Sequence, residues 1–410
     1  MNLQSGNYYW PSIFPEAPSY PALQQDTHCD VLIIGGGGSA AQCAFQLADK
    51  GLAVAVIEKA KIGSGSTSAN SALLQYSGEK FFTSLTHSFG EGYIQRHLQL
   101  LKTAIDDIER SAEVSGDKCE FRRRDTLYFA SSAGDVPRLK AEYSFLKEQG
   151  FPLDYLEKRD IQKRYPFVKE AAIYVYNDAE YNPFKFAHQL LLYASKKGVS
   201  VYENTEMNGH YFDKSLKNTI VRTKNGHNIY AKTVIFSAGY ENMDIRKEKQ
   251  ASFVSTYTMT TKPLNEASLK AWYNRTLIWE TARPYLYLRT TADNRVIIGG
   301  LDENTTDPLD RDSKLNHKMK KLKQEFQKLF PEIDVEPAFG LTGYYGGTKD
   351  GLPIIGKYDE FPQCYFLLGY GDNGTVYSQL LAGLISQEIL TGSSIDLQLY
   401  LQNRPLKGKL

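Results

Sequence analysis

The 410-residue chain is poor in cysteine. Cys29, Cys43, Cys119 and Cys364 are scattered, and none falls in a C-x-x-C spacing. That argues against a disulfide framework or a thiolate metal site, and a reducing cytoplasm is the default compartment. No metal is expected. Long apolar runs are also missing, since none reaches about eighteen residues, so no membrane span is expected. Charge of one sign is absent too. Lys plus Arg number 48 against 47 Asp plus Glu, which leaves no field to attract nucleic acid or anionic lipid. The N-terminus, MNLQSGNYYWPSIFPEAPSYPALQ, lacks a basic start followed by an apolar run and is not a secretory signal. Residues 1–27 read as an extended arm lying on the body. No internal repeat or low-complexity segment is present.

What the chain does have is glycine in one telling place. The stretch DVLIIGGGGSAAQCAFQLADKGLAVAVIEK runs from Asp30 to Lys59. An apolar strand leads into four glycines. A helix follows with Ala41, Ala44, Phe45 and Ala48 on one face, Gly51 stops it, and LAVAVIEK is a second strand. This is a βαβ unit, which implies a parallel sheet. Gly35 and Gly37 sit where the backbone must turn sharply and come close to a pyrophosphate. The helix from Gly38, with Ser39 and Ala40 in its first turn, offers unpaired N–H groups to an anion. Ala40 replaces the third glycine, which serves helix–strand packing, and the fingerprint tolerates alanine there. Glu58, followed by Lys59, ends the second strand about twenty residues on, where a carboxylate receives ribose hydroxyls. Dinucleotide binding is the reading. The rival is a hydrolase nucleophile elbow at Ser39. It needs a histidine late in the chain, and the last one is His317.

Further along, charged amphipathic helices are expected around Ile94–Val114 and Val136–Gln149, with short strands TLYFAS and AIYVYN. NPFKFAHQLLLYASKKGVSVYENTEM reads as helix, Gly198, strand. A hairpin follows, with Asn225-Gly226 as its turn. YLYLRTT and RVIIGG flank a turn at ADN, and a basic amphipathic helix spans Ser313–Leu329. The C-terminal part returns to strand–turn–helix. The expected architecture is α/β, with a discontinuous nucleotide domain over 28–80, 176–245 and 338–410. A β-rich second domain over 81–175 and 246–337 interrupts it.

Five segments in order carry a family resemblance: KIGSGSTSANSALLQY after the second strand, VYENTEM, TVIFSAGY, GGTKDGLPIIG and GYGDNGTVYSQLLAG. Together they resemble the D-amino-acid-oxidase (DAO) family of FAD-dependent oxidoreductases, in its glycine oxidase and gamma-glutamylputrescine oxidase branch. The likeness runs from about Cys29 to Gly392. It implies a Rossmann-like FAD domain of the glutathione-reductase type plus an α+β substrate domain. It also implies non-covalent FAD, since Gly343 stands near the place of a covalent flavin cysteine found in sarcosine oxidases. The resemblance puts Ser66, Thr67, Ala72 and Leu73 at the flavin, and Met207 near the adenine. Asn70 and Ser71 are small and polar, as a loop close to the cofactor requires. Ala238 and Gly239 in TVIFSAGY join this set. So do Gly371, Asp372, Asn373, Gly374 and Thr375, where a helix N-terminus would face the flavin pyrimidine edge and favour its reduced, anionic form.

The implied activity is oxidation of a C–N bond in a small amine or amino acid. A hydride passes to flavin N5, the imine hydrolyses, and O2 is the expected acceptor. Two departures from the family stand out. Tyr345 occupies the place of an arginine that clamps substrate carboxylate. Ile297 occupies the place of a lysine that activates oxygen, which keeps a quinone- or protein-linked dehydrogenase open. A flavin-binding scaffold without catalysis is a third reading. The candidate substrate residues are Tyr285, Tyr287, Tyr345 and Arg283. Alternation in RPYLYLR places Arg283, Tyr285, Tyr287 and Arg289 on one strand face, an aromatic wall suited to a cationic amine. Asp372 is either an ammonium attractor or a cap of the following helix. His188 reads as a core histidine.

Overall fold

The computed structural model describes residues 2–78 and 80–405. Its strands form two sheets. The first contains Thr27–Ile34, Val54–Ile57, Ser200–Tyr202, Asn228–Phe236 and Cys364–Leu368 as parallel neighbours. Every residue of Val54–Ile57 and Cys364–Leu368 is buried. Such continuous burial marks a parallel sheet covered on both faces. Helices Pro183–Lys196 and Gly374–Thr391 each pack against Gly38–Leu47 beside it. Ala40, Ala41 and Ala44 are fully buried there, so small side chains let Gly38–Leu47 lie close to its neighbours. The expected hairpin is present. Asn218–Thr223 pairs antiparallel with Asn228–Phe236, and Gly226 takes φ +90° in the turn.

The second sheet runs from Gln4–Gly6 through Pro337–Thr348, Ala251–Thr261, Val296–Glu303, Tyr287–Thr290, Leu277–Glu280, Arg122–Phe129 and Ala171–Glu180 to Leu73–Leu74. Leu315–Leu329 covers one side, with Leu322, Phe326 and Leu329 buried on its apolar face. The boundaries expected at 176 and 338 fall inside Ala171–Glu180 and at the start of Pro337–Thr348, both strands of this sheet. These strands are ten and twelve residues long, longer than the usual five or six. The N-terminal arm is part of the sheet: Gln4, Ser5 and Gly6 pair antiparallel with Gly343, Thr342 and Leu341. Among the described residues no helix is long and apolar enough to cross a membrane, and no group of three metal-ligating side chains occurs. All four cysteines are free and buried.

Candidate active site

Two adjoining cavities lie between the sheets. Gly38, Ser39, Ser66, Thr67, Gly239, Tyr240, Leu3 and Gln4 line both. One extends over the glycine turn and is walled by Gly35, Gly37, Glu58, Lys59, Met207 and Ala238. Gly35 takes φ +115°, and a Cβ there would sit 2.4 Å from the Ser237 carbonyl oxygen. Only glycine fits so close an approach. Glu58 holds the turn directly. Gly36 N–H donates to its Oε2 at 2.7 Å and Ala60 N–H to its Oε1 at 2.8 Å. Burial pushes the Glu58 carboxyl up, against the pull of those two bonds. A carboxylate has about four lone-pair sites, so two stay available to hydroxyls. Lys59 is engaged by Glu241 at 2.6 Å.

The serine-rich segment after Glu58 closes on the same turn. Gly38 N–H donates to Thr67 Oγ1 at 2.9 Å, and Ser39 Oγ lies 2.7 Å from Ser378 Oγ. Among the described residues no histidine lines either cavity, so Ser39 meets a second hydroxyl where a hydrolase would need a base. Asn70 bridges three elements. It donates to Thr375 Oγ1 at 3.1 Å, accepts from Ala72 N–H at 2.6 Å, and its carbonyl receives Trp10 Nε1–H at 2.7 Å. Asn70, Ser71 and Leu73 line the second cavity with Gly371, Asp372, Gly374 and Thr375. Ala72, at φ +63°, stays behind the wall, where its carbonyl receives Arg289 Nη1–H at 2.8 Å.

Asn373, rather than Asp372, occupies the N-cap of Gly374–Thr391, and it makes no side-chain cap bond. Its amide donates instead to the Gln75 carbonyl. Gly37 likewise leaves Gly38–Leu47 uncapped, whereas Asn182 caps Pro183–Lys196 at 3.0 Å. Helix Gly374–Thr391 therefore opens onto the cavities with no side chain capping its first-turn N–H groups, whereas in Gly38–Leu47 the Gly38 N–H is taken by Thr67 Oγ1.

The second cavity ends among aromatic rings. Trp279, Tyr285, Tyr287, Tyr344 and Tyr345 line it, together with Thr256, Thr258 and Asp302. Trp279 stacks on Tyr128 at 3.9 Å and meets Tyr285 edge-on at 6.0 Å. Gly299 makes room for Tyr287, whose hydroxyl would lie 2.1 Å from a Cβ there. The strand alternation expected from Arg283 to Arg289 does not hold, because the strand is only Tyr287–Thr290. Arg283 is exposed, outside the cavity wall, and donates to the carbonyls of Glu280, Thr281 and Ala282. Arg289 is 2% exposed and donates to the carbonyls of Thr290, Ala72 and Tyr181. Ala40 also lies in the core, away from the wall, and Asn373 stands behind it. Sequence reading missed Trp279, Asp302, Thr256 and Gln4. They come from separate strands with no shared motif, and only the pairing of those strands brings them to one cavity.

The donor set suits a dinucleotide with one phosphate-bearing and one aromatic half. Gln75 Nε2, Ser237 Oγ and Asn373 Oδ1 are buried at or just behind the walls and have no protein partner. A flavin dinucleotide has both donors and acceptors to offer such atoms. A family model described as DAO, FAD dependent oxidoreductase, matches residues 30–388. The chain belongs to this family of FAD-dependent oxidoreductases. FAD is its cofactor, and it is an enzyme by that membership.

Among the relatives, the gamma-glutamylputrescine oxidoreductase of Escherichia coli (strain K12) is 24% identical over 405 residues, covering 96% of this chain and 91% of that protein. A putative Rieske 2Fe-2S iron-sulfur protein of Bacillus subtilis (strain 168) is 27% identical over 197 residues, 48% of this chain. The match spans only 38% of that relative's length. Two solved structures share the fold of this family member. L-proline dehydrogenase from P. horikoshii has TM-score 0.77 at 20% identity, covering 93% of this chain and 98% of that one. Glycine oxidase from Geobacillus kaustophilus has TM-score 0.72 at 22% identity, covering 90% and 96%.

Proposed function

We propose that the protein oxidises a C–N bond of a small primary or secondary amine or amino acid. The observation that carries this is the junction of the two cavities, where the glycine turn and helix Gly374–Thr391 meet a wall of Trp279 and tyrosines. FAD, when bound, supplies a hydride acceptor, and the imine left behind hydrolyses. This chain's residues do the rest. Gly35, Gly37, Gly38, Ser39, Ser66 and Thr67 hold the phosphate-bearing half, Glu58 the ribose, and Met207 and Ala238 the adenine side. Asn70, Ser71, Leu73, Gly371, Gly374 and Thr375 would hold the flavin non-covalently, since among the described residues no cysteine lines either cavity. The aromatic wall excludes water from the reacting carbon and orients the amine. Four free, buried cysteines support a cytoplasmic setting.

The test is direct. The purified protein should be yellow, acid precipitation should leave FAD in the supernatant, and an anaerobic screen of amines and amino acids should find a compound that bleaches the colour. Colour retained in the pellet would contradict non-covalent binding. A screen in which nothing bleaches would leave a flavin scaffold.

O2 is the proposed acceptor. A second reading, electron delivery to a quinone or protein, is favoured by Ile297. It is 3% exposed and lines a small cavity with Thr258, Asn70 and Ser71, where sarcosine-type relatives would carry the oxygen-activating lysine. Turnover at least tenfold faster with an artificial quinone than in air would establish it.

A further inference from the structure

An α-amino acid brings a carboxylate into any site that oxidises it, and the strongest receiver for one is a cationic side chain, above all a guanidinium. The aromatic cavity has none. Among the described residues on its wall there is no lysine, arginine or histidine. The acids there are Asp302 and Asp372. The two arginines close in sequence are committed elsewhere. Arg289 is buried in the sheet, its Nε and Nη1 donors taken by carbonyls and its charge 3.6 Å from Glu180. Arg283 stays outside, on the carbonyls of its own turn and 5.0 Å from the Tyr285 ring centroid. Tyr345 and its neighbour Tyr344 present phenol rings in place of a guanidinium.

What such a wall attracts is a cation. Trp279, Tyr285 and Tyr287 form a connected run of rings, with Tyr285 and Tyr287 centroids 5.9 Å apart. The negative faces of such rings favour an ammonium, and Tyr285 already has the Arg283 guanidinium near its ring. Asp302 stands at the end of Val296–Glu303, close enough to Tyr287 for its charge to add to the burial that raises that phenol. An amine must be neutral at the nitrogen that is oxidised, because a protonated nitrogen has no lone pair to assist loss of hydride. A carboxylate amid aromatic rings favours the opposite state and suits a different nitrogen, one that stays charged.

We propose that the substrate carries an ammonium group separate from the reacting nitrogen and no free carboxylate, and that Asp302 with the Trp279–Tyr285–Tyr287 wall receives that ammonium. This rests on the reading that the protein oxidises amines.

The experiment uses the FAD-loaded enzyme under anaerobic conditions with three matched compounds: 1,4-diaminobutane, butylamine and ornithine. Flavin bleaching follows the reductive half-reaction of each compound, and steady-state turnover with an artificial electron acceptor gives kcat and KM. Tetramethylammonium and acetate, neither of them oxidisable, are titrated separately by the shift of the flavin absorption band. The expected result is a KM for the diamine at least tenfold below that of butylamine, with ornithine at least a hundredfold poorer in kcat/KM. Tetramethylammonium gives a saturable shift and acetate does not. Asp302→Asn raises the diamine KM and the tetramethylammonium Kd about tenfold and raises the butylamine KM at least threefold less, with FAD content and Tm measured to show that the fold and the cofactor are kept. If Asn at 302 unsettles the fold, the tetramethylammonium-against-acetate titration on the unmodified enzyme still decides. Ornithine matching or exceeding the diamine, or acetate binding more tightly than tetramethylammonium, would overturn this inference and leave amine oxidation standing. If no compound in a wider amine screen bleaches the flavin, the oxidative reading fails, and the titration alone reports whether the cavity selects cations.

Discussion

At the scale of single residues, the fingerprint holds a second layer that its spacing conceals. Glu58 was legible as an acid at the end of the second strand. Its bonds to Gly36 N–H and Ala60 N–H were not, because backbone donors leave no mark on residue type. Glu58→Gln separates the two roles. A glutamine has one acceptor oxygen and one amide donor, so one of those N–H groups faces a donor. A buried donor without its acceptor costs about 1–3 kcal/mol. The expected outcome is a lower Tm and FAD retention weakened about tenfold, read by FAD fluorescence on dilution. An unchanged FAD Kd would place the ribose on other residues. The same blindness explains Arg289. In sequence it shared a face with Tyr285 and Tyr287. In the fold it is a fastener, holding the carbonyls of Ala72 and Tyr181 so that the segment after Asn70 keeps its place.

At the scale of elements, legibility followed periodicity. The βαβ unit, the Asn225-Gly226 hairpin and the amphipathic helices Glu91–Val114 and Val136–Glu148 each carry a repeating pattern, and each is present. The strand Gln4–Gly6 carries none. Three residues, QSG, pair with Gly343, Thr342 and Leu341 only because the sheet edge is there to receive them. Sequence reads as an arm on the body but could not show that Leu3 and Gln4 reach the walls of both cavities. Gln4 Nε2 donates to the carbonyls of Ser64 and Gly65 at 3.0 and 2.9 Å, and Gln4 lines both cavities. Gly6 takes φ +115°, and a Cβ there would lie 2.2 Å from the Gly340 oxygen. Gly6→Ala should therefore lift the strand. FAD release is expected to quicken at least threefold, followed by fluorescence after dilution, while Gln4→Ala gives a smaller change in the same direction. Equal release rates in both variants and the unmodified protein would show that the strand plays no part in retention.

At the scale of the whole molecule, stability should respond to pH through groups far from any motif. Asp178 is fully buried, bonded to Thr126 Oγ1 at 2.6 Å and Tyr76 N–H at 3.1 Å. Burial pushes its carboxyl up to about 7, with Asp125 adding to the rise and those bonds and Arg123 opposing it. His97 and His188 go the other way, pushed down to about 3 and about 4 chiefly by burial. The signs differ. The folded state keeps a proton on Asp178 that the unfolded chain loses near pH 4, so this group's contribution is full below about 4 and is lost as pH rises through about 7. The histidines refuse a proton that the unfolded chain takes below about 6.5, so their contribution is full above that pH and is lost on acidification. Comparing Asp178→Asn with the unmodified protein cancels the histidines and leaves the aspartate. Two pH units between 5 and 7 at about 1.4 kcal/mol each amount to about 3 kcal/mol. At about 2.1 cal/mol/K per residue, a chain of this length shifts its Tm by about 3 °C for that change. The variant is therefore expected to gain about 3 °C relative to the unmodified protein between pH 5 and pH 8, by calorimetry at matched ionic strength. A difference in Tm that stays constant across that range would mean Asp178 is already ionised in the folded protein, with Arg123 and its hydrogen bonds outweighing burial.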